Sequence, residues 1–130
     1  MRFVLTSALF TVLLSASGCG DSYGGLSEAQ HKRAKSALES ALNAWQNGEH
    51  PRKWALRNAP VRFLDDAWPK KMKLLEYEIL EIRARGDKTP EAIVRLKTRS
   101  PKGVELEQKA LYGIDLRSKA QISIGRDPMY

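Results

Sequence analysis

The fold is decided by residues 75 to 84, which read LEYEILEIRA. Apolar residues alternate with glutamates from Leu75 to Ile79, and the apolar residues from Leu80 to Ala84 alternate on the opposite parity. A period of two is typical of a β-strand with one buried face. A bulge near Ile79 and Leu80 keeps both apolar sets on the same face. The stretch therefore predicts a long, bulged strand.

Three more strands are predicted downstream of this one. Residues 92 to 99 and 104 to 114 alternate in the same way, and SPKG at 100 to 103 is a hairpin signal between them. A last strand covers residues 120 to 124. The positions expected to face the core from this sheet are Val94, Leu96, Leu106, Ala110, Tyr112 and Ile122.

The outward faces of the two middle strands carry opposite charges. Arg95 and Lys97 lie on one strand, and Glu105 and Glu107 lie on the next. Opposite charges on neighbouring strands favour pairing, with each pair contributing roughly 0.2 to 1 kcal/mol. We expect this pairing to fix the register of the hairpin.

Upstream of the strands the apolar period changes to that of a helix. Residues 27 to 48 form one amphipathic segment, and Ser27 with Gln30 makes a capping-box pattern at its start. Pro51 to Asn58 predicts a short second helix, because proline suits the first helical turn. Residues 61 to 64 predict a short extended piece. The residues of the long helix expected to pack on the sheet are Leu38, Leu42 and Trp45.

Helices that precede a group of strands indicate an α+β fold rather than a parallel α/β sheet. The sequence therefore predicts a single domain over residues 26 to 130. In it, a long helix and a short second helix pack on a four-stranded antiparallel meander.

This layout resembles the cystatin-like and nuclear-transport-factor-2-like architectures. The segments YGID at 112 to 115 and IGRD at 124 to 127 also resemble those of small lipoproteins of planctomycete-type bacteria. The resemblance covers roughly residues 26 to 127 in outline. It implies a fold and a location more than an activity, because one fold hosts many functions.

The N-terminus has the order of a secretory signal peptide over residues 1 to 18. Arg2 supplies a positive charge, residues 3 to 14 are largely apolar, and small residues follow to Gly18. The apolar run is too short for a membrane-spanning helix, which needs about 20 residues. The sequence therefore predicts export.

Cys19 is the single cysteine of the chain and directly follows the small residues. The stretch from Leu14 to Cys19, LSASGC, resembles the lipobox of bacterial lipoproteins. The resemblance implies that the signal is cut before Cys19, that its thiol carries diacylglycerol, and that an acyl chain such as palmitate is added to the new amino group. Gly20 after the cysteine implies an outer membrane, with the domain facing the periplasm. The remaining alternative is a free thiol beside an ordinary cleavage site.

Residues 20 to 25, GDSYGG, predict a flexible tether after the lipidated Cys19. The chain has 22 basic and 15 acidic residues, which gives a net charge of +7. A basic surface attracts anionic lipid headgroups, envelope polymers or nucleic acid. Export makes nucleic acid the least favoured of these partners, so none is expected.

The segment from Trp54 to Lys73 holds the candidate binding residues, because it is irregular and rich in aromatic and basic side chains. Its tryptophans either contact a ligand or close the end of a small core. Its basic residues either meet an anionic surface or are simply solvated. The candidate residues are Trp54, Arg57, Arg62, Trp68, Lys70, Lys71 and Lys73.

Patterns for catalysis or metal binding are weak. His31 and His50 are the only histidines, and no spacing of His, Cys, Asp and Glu resembles a zinc site. We expect no metal and no cofactor. Asp65 and Asp66 are adjacent carboxylates, and in an enzyme of the nuclear-transport-factor-2-like type one of them would act as a base inside a cavity. The alternative is that one of them caps a turn beside Trp68.

Three functional hypotheses follow from the sequence. The first is a membrane-anchored envelope lipoprotein with a non-catalytic domain that binds a ligand, an anionic polymer or another envelope protein. The second is a small cavity enzyme that uses Asp65 or Asp66. The third is a structural role in which the basic segment holds the domain against an anionic polymer.

Overall fold

The computed structural model describes residues 23 to 130, so the predicted signal peptide and Cys19 lie outside the described residues. Two helices are followed by five strands. Their bounds are α1 Glu28–Gln46, α2 Pro51–Arg57, β1 Val61–Leu64, β2 Lys73–Ala84, β3 Pro90–Arg99, β4 Glu105–Asp115 and β5 Ile122–Arg126.

The start of α1 is fixed by the predicted capping box. The Ser27 hydroxyl accepts a hydrogen bond from the Gln30 amide at 3.1 Å, and the Gln30 side-chain oxygen accepts one from the Ser27 amide at 3.0 Å. Two otherwise orphaned amides at the helix start are satisfied in this way. The helix ends before Gly48, which has a positive φ of 79° that glycine adopts without strain.

The strands form one mixed sheet in the order β1-β5-β4-β3-β2. Strands β2 to β5 form the predicted antiparallel meander, but the prediction of four strands was wrong. The fifth strand, β1, pairs in parallel with β5 from Val61↔Ile122 to Leu64↔Gly125. An extended piece was predicted at 61 to 64. The strand with which it pairs could not be predicted, because β5 lies about sixty residues further along the chain.

The predicted bulge in β2 is confirmed by a register shift between Ile79 and Glu81. A second shift lies between Leu74 and Glu76, and it makes Leu74 rather than Leu75 the fully buried residue. Leu80 was expected to face the core, but it is 42% exposed because the bulge takes it out of the ladder.

The helix–sheet core is largely the predicted one. Leu38, Leu42 and Trp45 of α1 are buried, together with Val94, Leu96, Ala110 and Tyr112 of the sheet. The prediction of Leu106 as a core residue was wrong, since it is 48% exposed. Strand β4 pairs with β5 only near its own end, from Tyr112 to Asp115, and Leu106 lies well beyond that paired region. On β5, Ile124 is fully buried and Ile122 only partly.

Cross-strand ion pairs hold the outer face of the sheet. Arg95 binds Glu107 at 3.1 Å, as predicted, and also Glu78 on the other neighbouring strand at 2.6 Å. Glu105 pairs with Arg99 at 2.7 Å rather than with Lys97. Arginine thus joins β2, β3 and β4 across this face.

The end of the predicted tether contacts the domain. The Gly24 carbonyl accepts a hydrogen bond from the Ala84 amide at 2.8 Å, and the Tyr23 ring lies 5.0 Å from the ring of His31 on α1. A Cβ on Gly24 would lie 2.9 Å from the Arg83 Cα, so only glycine fits here. The chain therefore enters the fold beside the first turns of α1 and the last residues of β2.

Candidate functional site

The tryptophans of the candidate segment lie inside the domain. Trp54 and Trp68 are both buried, and the Trp68 ring packs against Trp45, Trp54 and Phe63 with centroid distances of 5.7 to 6.4 Å. The Trp68 indole N–H donates to the Glu49 carbonyl at 2.9 Å. The Trp68 ring is therefore packed in the core and its N–H is hydrogen-bonded within the domain, as expected if the tryptophans close the end of a small core.

Asp65 is a buried carboxylate, and its partners are all internal. The Tyr112 hydroxyl donates to Asp65 Oδ2 at 2.6 Å, and the Ala67 amide donates to Oδ1 at 3.0 Å. The Arg126 guanidinium lies 3.4 Å from Oδ1. Since the Asp65 side chain is 1% exposed, substrate cannot reach it without local unfolding. Its geometry is that of a turn cap joined to a buried charge pair.

The environment of Tyr112 matches this arrangement. Burial raises the pKa of the Tyr112 hydroxyl above its ordinary value, and the neighbouring Asp65 carboxylate raises it further. The phenol therefore stays protonated and acts as a hydrogen-bond donor. Asp66, the second candidate base, is exposed on the surface. The two carboxylates do not converge on a shared cavity.

The lysines of the segment are exposed, and two of them line a groove. Lys71 and Lys73 line a concavity of about 300 Å³ together with His50 and Pro51. Its other lining residues are Trp45, Gly48, Glu49, Trp68 and Met72. This groove arises because the chain turns at Gly48, which brings the start of α2 opposite the residues that lead into β2.

A second, wider depression of about 680 Å³ shares Gly48 to His50 with the groove and extends along α2. Lys53, Leu56 and Arg57 line it. Leu56 is 82% exposed because Trp54, two positions earlier on the helix, takes the buried face. Leu56 therefore stands on the solvent face of α2, between Arg52 and Arg57.

The two candidate arginines are placed differently. Arg57 forms an ion pair with Glu49 at the rim of the second depression. Arg62 lies on β1, where Val61 and Phe63 turn inward and Arg62 turns to the opposite face. Arg62 is therefore separated from the groove that Lys71 and Lys73 line.

Lys71 occupies a backbone conformation that favours glycine. Its φ is +62°, at the end of a turn in which the Lys71 amide donates to the Trp68 carbonyl at 3.1 Å. A left-handed residue with a side chain costs roughly 1 to 2 kcal/mol relative to the right-handed form. A lysine therefore stands where glycine would be less strained, and this lysine lines the groove.

Charge is concentrated in this part of the chain. Residues 51 to 73 contain seven basic and two acidic residues, a net charge of +5, against +7 for all 130 residues. Arg52, Lys53, Lys70, Lys71 and Lys73 form no ion pair with any of residues 23 to 130. We call these five residues and Leu56 the basic helix-side surface.

Sequence reasoning missed part of this surface. Arg52, Lys53 and Leu56 were not among the candidate residues. The charge of residues 51 to 73, read as one window, was the available signal. The sequence carried no signal for Leu56, because the exposure of Leu56 depends on which face of α2 is buried with Trp54.

Neither α1 nor α2 has the length and hydropathy needed to cross a bilayer. Among residues 23 to 130, no group of three or more His, Cys, Asp and Glu side chains is placed to hold a metal ion.

Known proteins give no guide to the function. No family model matches the chain, no curated protein is significantly similar to it, and no solved structure matches its fold. Any assignment therefore rests on the residues and their geometry.

Proposed function

We propose that this chain is an exported lipoprotein, anchored through acylated Cys19, whose small non-catalytic domain binds an anionic partner in the cell envelope. The anchor places it at the outer membrane, facing the periplasm. The helix-on-meander layout supports the likeness to cystatin-like folds, and the parallel strand β1 departs from it.

The observation that carries the binding proposal is the unpaired charge of the basic helix-side surface. Exposed lysines on a solvated surface need no partner, but here Lys71 and Lys73 line one groove, and Glu49, the acid in its lining, is paired with Arg57. A local positive potential of this kind attracts polyanions and speeds their association.

The cavity-enzyme alternative has less support. It needs an accessible carboxylate, and Asp65 is closed off by Tyr112, Ala67 and Arg126. Asp66 is accessible, but it lines neither the groove nor the depression along α2.

One experiment tests anchor and binding together. Cells expressing the wild type and Cys19→Ser are fractionated, and the envelope fraction is washed at low and at high salt. We expect the wild type to stay with the envelope in both washes, because acyl chains anchor it. Cys19→Ser should stay at low salt and leave at high salt, because screening weakens surface charge attraction.

Each part of the proposal has its own contrary result in this experiment. Retention of Cys19→Ser after the high-salt wash would contradict the lipid anchor. Complete loss of Cys19→Ser already at low salt would contradict charge-based binding while leaving the anchor intact.

A further inference from the structure

We infer that the anionic partner is the surface of the bilayer itself, and that the domain lies on it with its helix side down and Leu56 entering the headgroup layer. This rests on the proposed lipid anchor. Three features of the described residues carry it: where the chain enters the fold, which side of the sheet holds the charge, and where Leu56 stands.

The chain enters the domain on the helix side. Tyr23 packs against His31, and with Glu28, Lys32 and Lys35 it lines one concavity along α1. Only three residues separate Cys19 from Tyr23 in the sequence, and the four Cα–Cα steps span at most about 14 Å. Lipid on Cys19 therefore holds this flank of α1 close to the bilayer.

The part of the chain that contains both helices carries most of the net charge. Residues 26 to 73 contain α1, α2 and β1 and have ten basic and five acidic residues, a net charge of +5; of the ten, Arg62 faces the other side of the sheet. Residues 74 to 130, which contain most of the sheet, have eleven basic and nine acidic residues, a net charge of +2. The helix side is therefore the face that an anionic bilayer attracts.

The distance between anchor and basic surface fits a flat orientation. Helix α1 has 19 residues and is about 28 Å long, so it separates the Tyr23 end from the groove at its other end. Both ends touch one plane when α1 lies parallel to the bilayer. A lipid anchor at one end and a basic surface at the other give two attachment signals, which is what stable membrane attachment requires.

Leu56 distinguishes a lipid surface from a charged polymer. It is 82% exposed and has Arg52 one helical turn before it and Arg57 after it. An exposed apolar residue beside the unpaired cations Arg52 and Lys53 suits the boundary between headgroups and acyl chains. A hydrated polymer gains nothing from that leucine, so its contribution to binding reports the nature of the partner.

The test uses the purified Cys19→Ser protein, which lacks acyl chains. It is co-sedimented with vesicles of phosphatidylcholine alone, with vesicles that also contain phosphatidylglycerol, and with purified peptidoglycan. We expect binding to the phosphatidylglycerol vesicles only. Leu56→Ser should weaken it severalfold, and each of Lys71→Gln and Lys73→Gln should weaken it about fivefold. The matched control is Leu64→Ser, since Leu64 is an exposed leucine on the other face of the sheet.

A label gives a second readout. Cys19→Ser removes the only cysteine, so Leu56→Cys or Leu64→Cys in that background takes one environment-sensitive fluorophore. We expect a blue shift on phosphatidylglycerol vesicles from position 56 and none from position 64. Binding to peptidoglycan without binding to vesicles would overturn this inference and leave the proposed function standing. Binding to neither would overturn both.

Discussion

The arginines of the strands and the lysines of the segment from Pro51 to Lys73 differ in their partners. On the sheet, Arg83, Arg95 and Arg99 each bind a glutamate on a neighbouring strand. In the segment, Lys70, Lys71 and Lys73 bind no acid among the described residues. These sheet arginines set pairing within the fold, whereas these segment lysines remain available to a partner. The difference separates residues that hold the domain together from residues that act outward.

The two roles meet at the buried network of Asp65, Tyr112 and Arg126. Asp65 follows β1, Tyr112 lies on β4 and Arg126 ends β5, so the network fastens the start of the turn that carries the lysines to the sheet. The start of the turn is therefore fixed to the sheet, while the lysines later in the turn remain exposed to solvent. Binding residues on a rigid support lose little conformational entropy when a partner arrives.

The largest expected effect is that of Trp68→Ala. Removing a buried ring that contacts three other aromatic rings should lower the free energy of unfolding by roughly 3 to 5 kcal/mol. Denaturant melts followed by circular dichroism measure it. An unchanged midpoint would show that the Trp68 ring does not close the core. The division of the segment into buried structural rings and exposed binding lysines would then fail.

The next effect concerns the network and alkaline pH. Tyr112→Phe removes a buried hydrogen bond and leaves Asp65 one donor short, which should cost roughly 1 to 3 kcal/mol at neutral pH. Because the Tyr112 pKa is raised in the folded state, the unfolded chain ionises first as the pH rises. The stabilising contribution is complete below about pH 10 and is lost above it.

Tyr112→Phe should therefore flatten the loss of stability above pH 10, although it lowers stability at pH 7. Melts of both proteins between pH 7 and pH 11 measure this. An equally steep alkaline loss in the variant would show that the Tyr112 hydroxyl is not the group responsible.

A smaller effect, of opposite sign, is expected from Lys71→Gly. Glycine relieves the left-handed conformation and should raise the free energy of unfolding by roughly 0.5 to 1 kcal/mol after its larger unfolded-state entropy is subtracted. The matched control is Lys88→Gly, because Lys88 has a φ of +63° in the β2–β3 hairpin, away from the groove. Both variants should gain stability, and only Lys71→Gly should lose binding to anionic vesicles. Equal binding by both would remove the functional reason for Lys71.

The sequence predicts the elements of this fold better than their partners. The capping box of Ser27 and Gln30, the bulge near Ile79 and the hairpin at 100 to 103 are encoded by adjacent residues, and all are present. The pairing of β1 with β5 depends on two short strands far apart in the chain. Such a contact leaves no local pattern, and four residues are too few to define a period.

The candidate site was predictable in its charge but not in its shape. Lys70, Lys71 and Lys73 are a visible cluster, and their exposure follows from their chemistry. Whether the rings of Trp54 and Trp68 point inward depends on the turn at Gly48 and on the Glu49 carbonyl that accepts the Trp68 N–H. The groove needs the same turn, so tertiary contacts decide both.

The most direct test of the account removes three positive charges either from the segment at 70 to 73 or from the sheet and its loops. One variant carries Lys70→Gln, Lys71→Gln and Lys73→Gln, and the other carries Lys88→Gln, Lys109→Gln and Lys119→Gln, all of them exposed lysines. Both are made in the Cys19→Ser background, and association with washed envelope is measured at two salt concentrations. The account predicts unchanged melting for both variants, with loss of the salt-sensitive association only for the variant at 70 to 73. Equal loss in both variants would show that net charge, and not this surface, holds the domain to its partner.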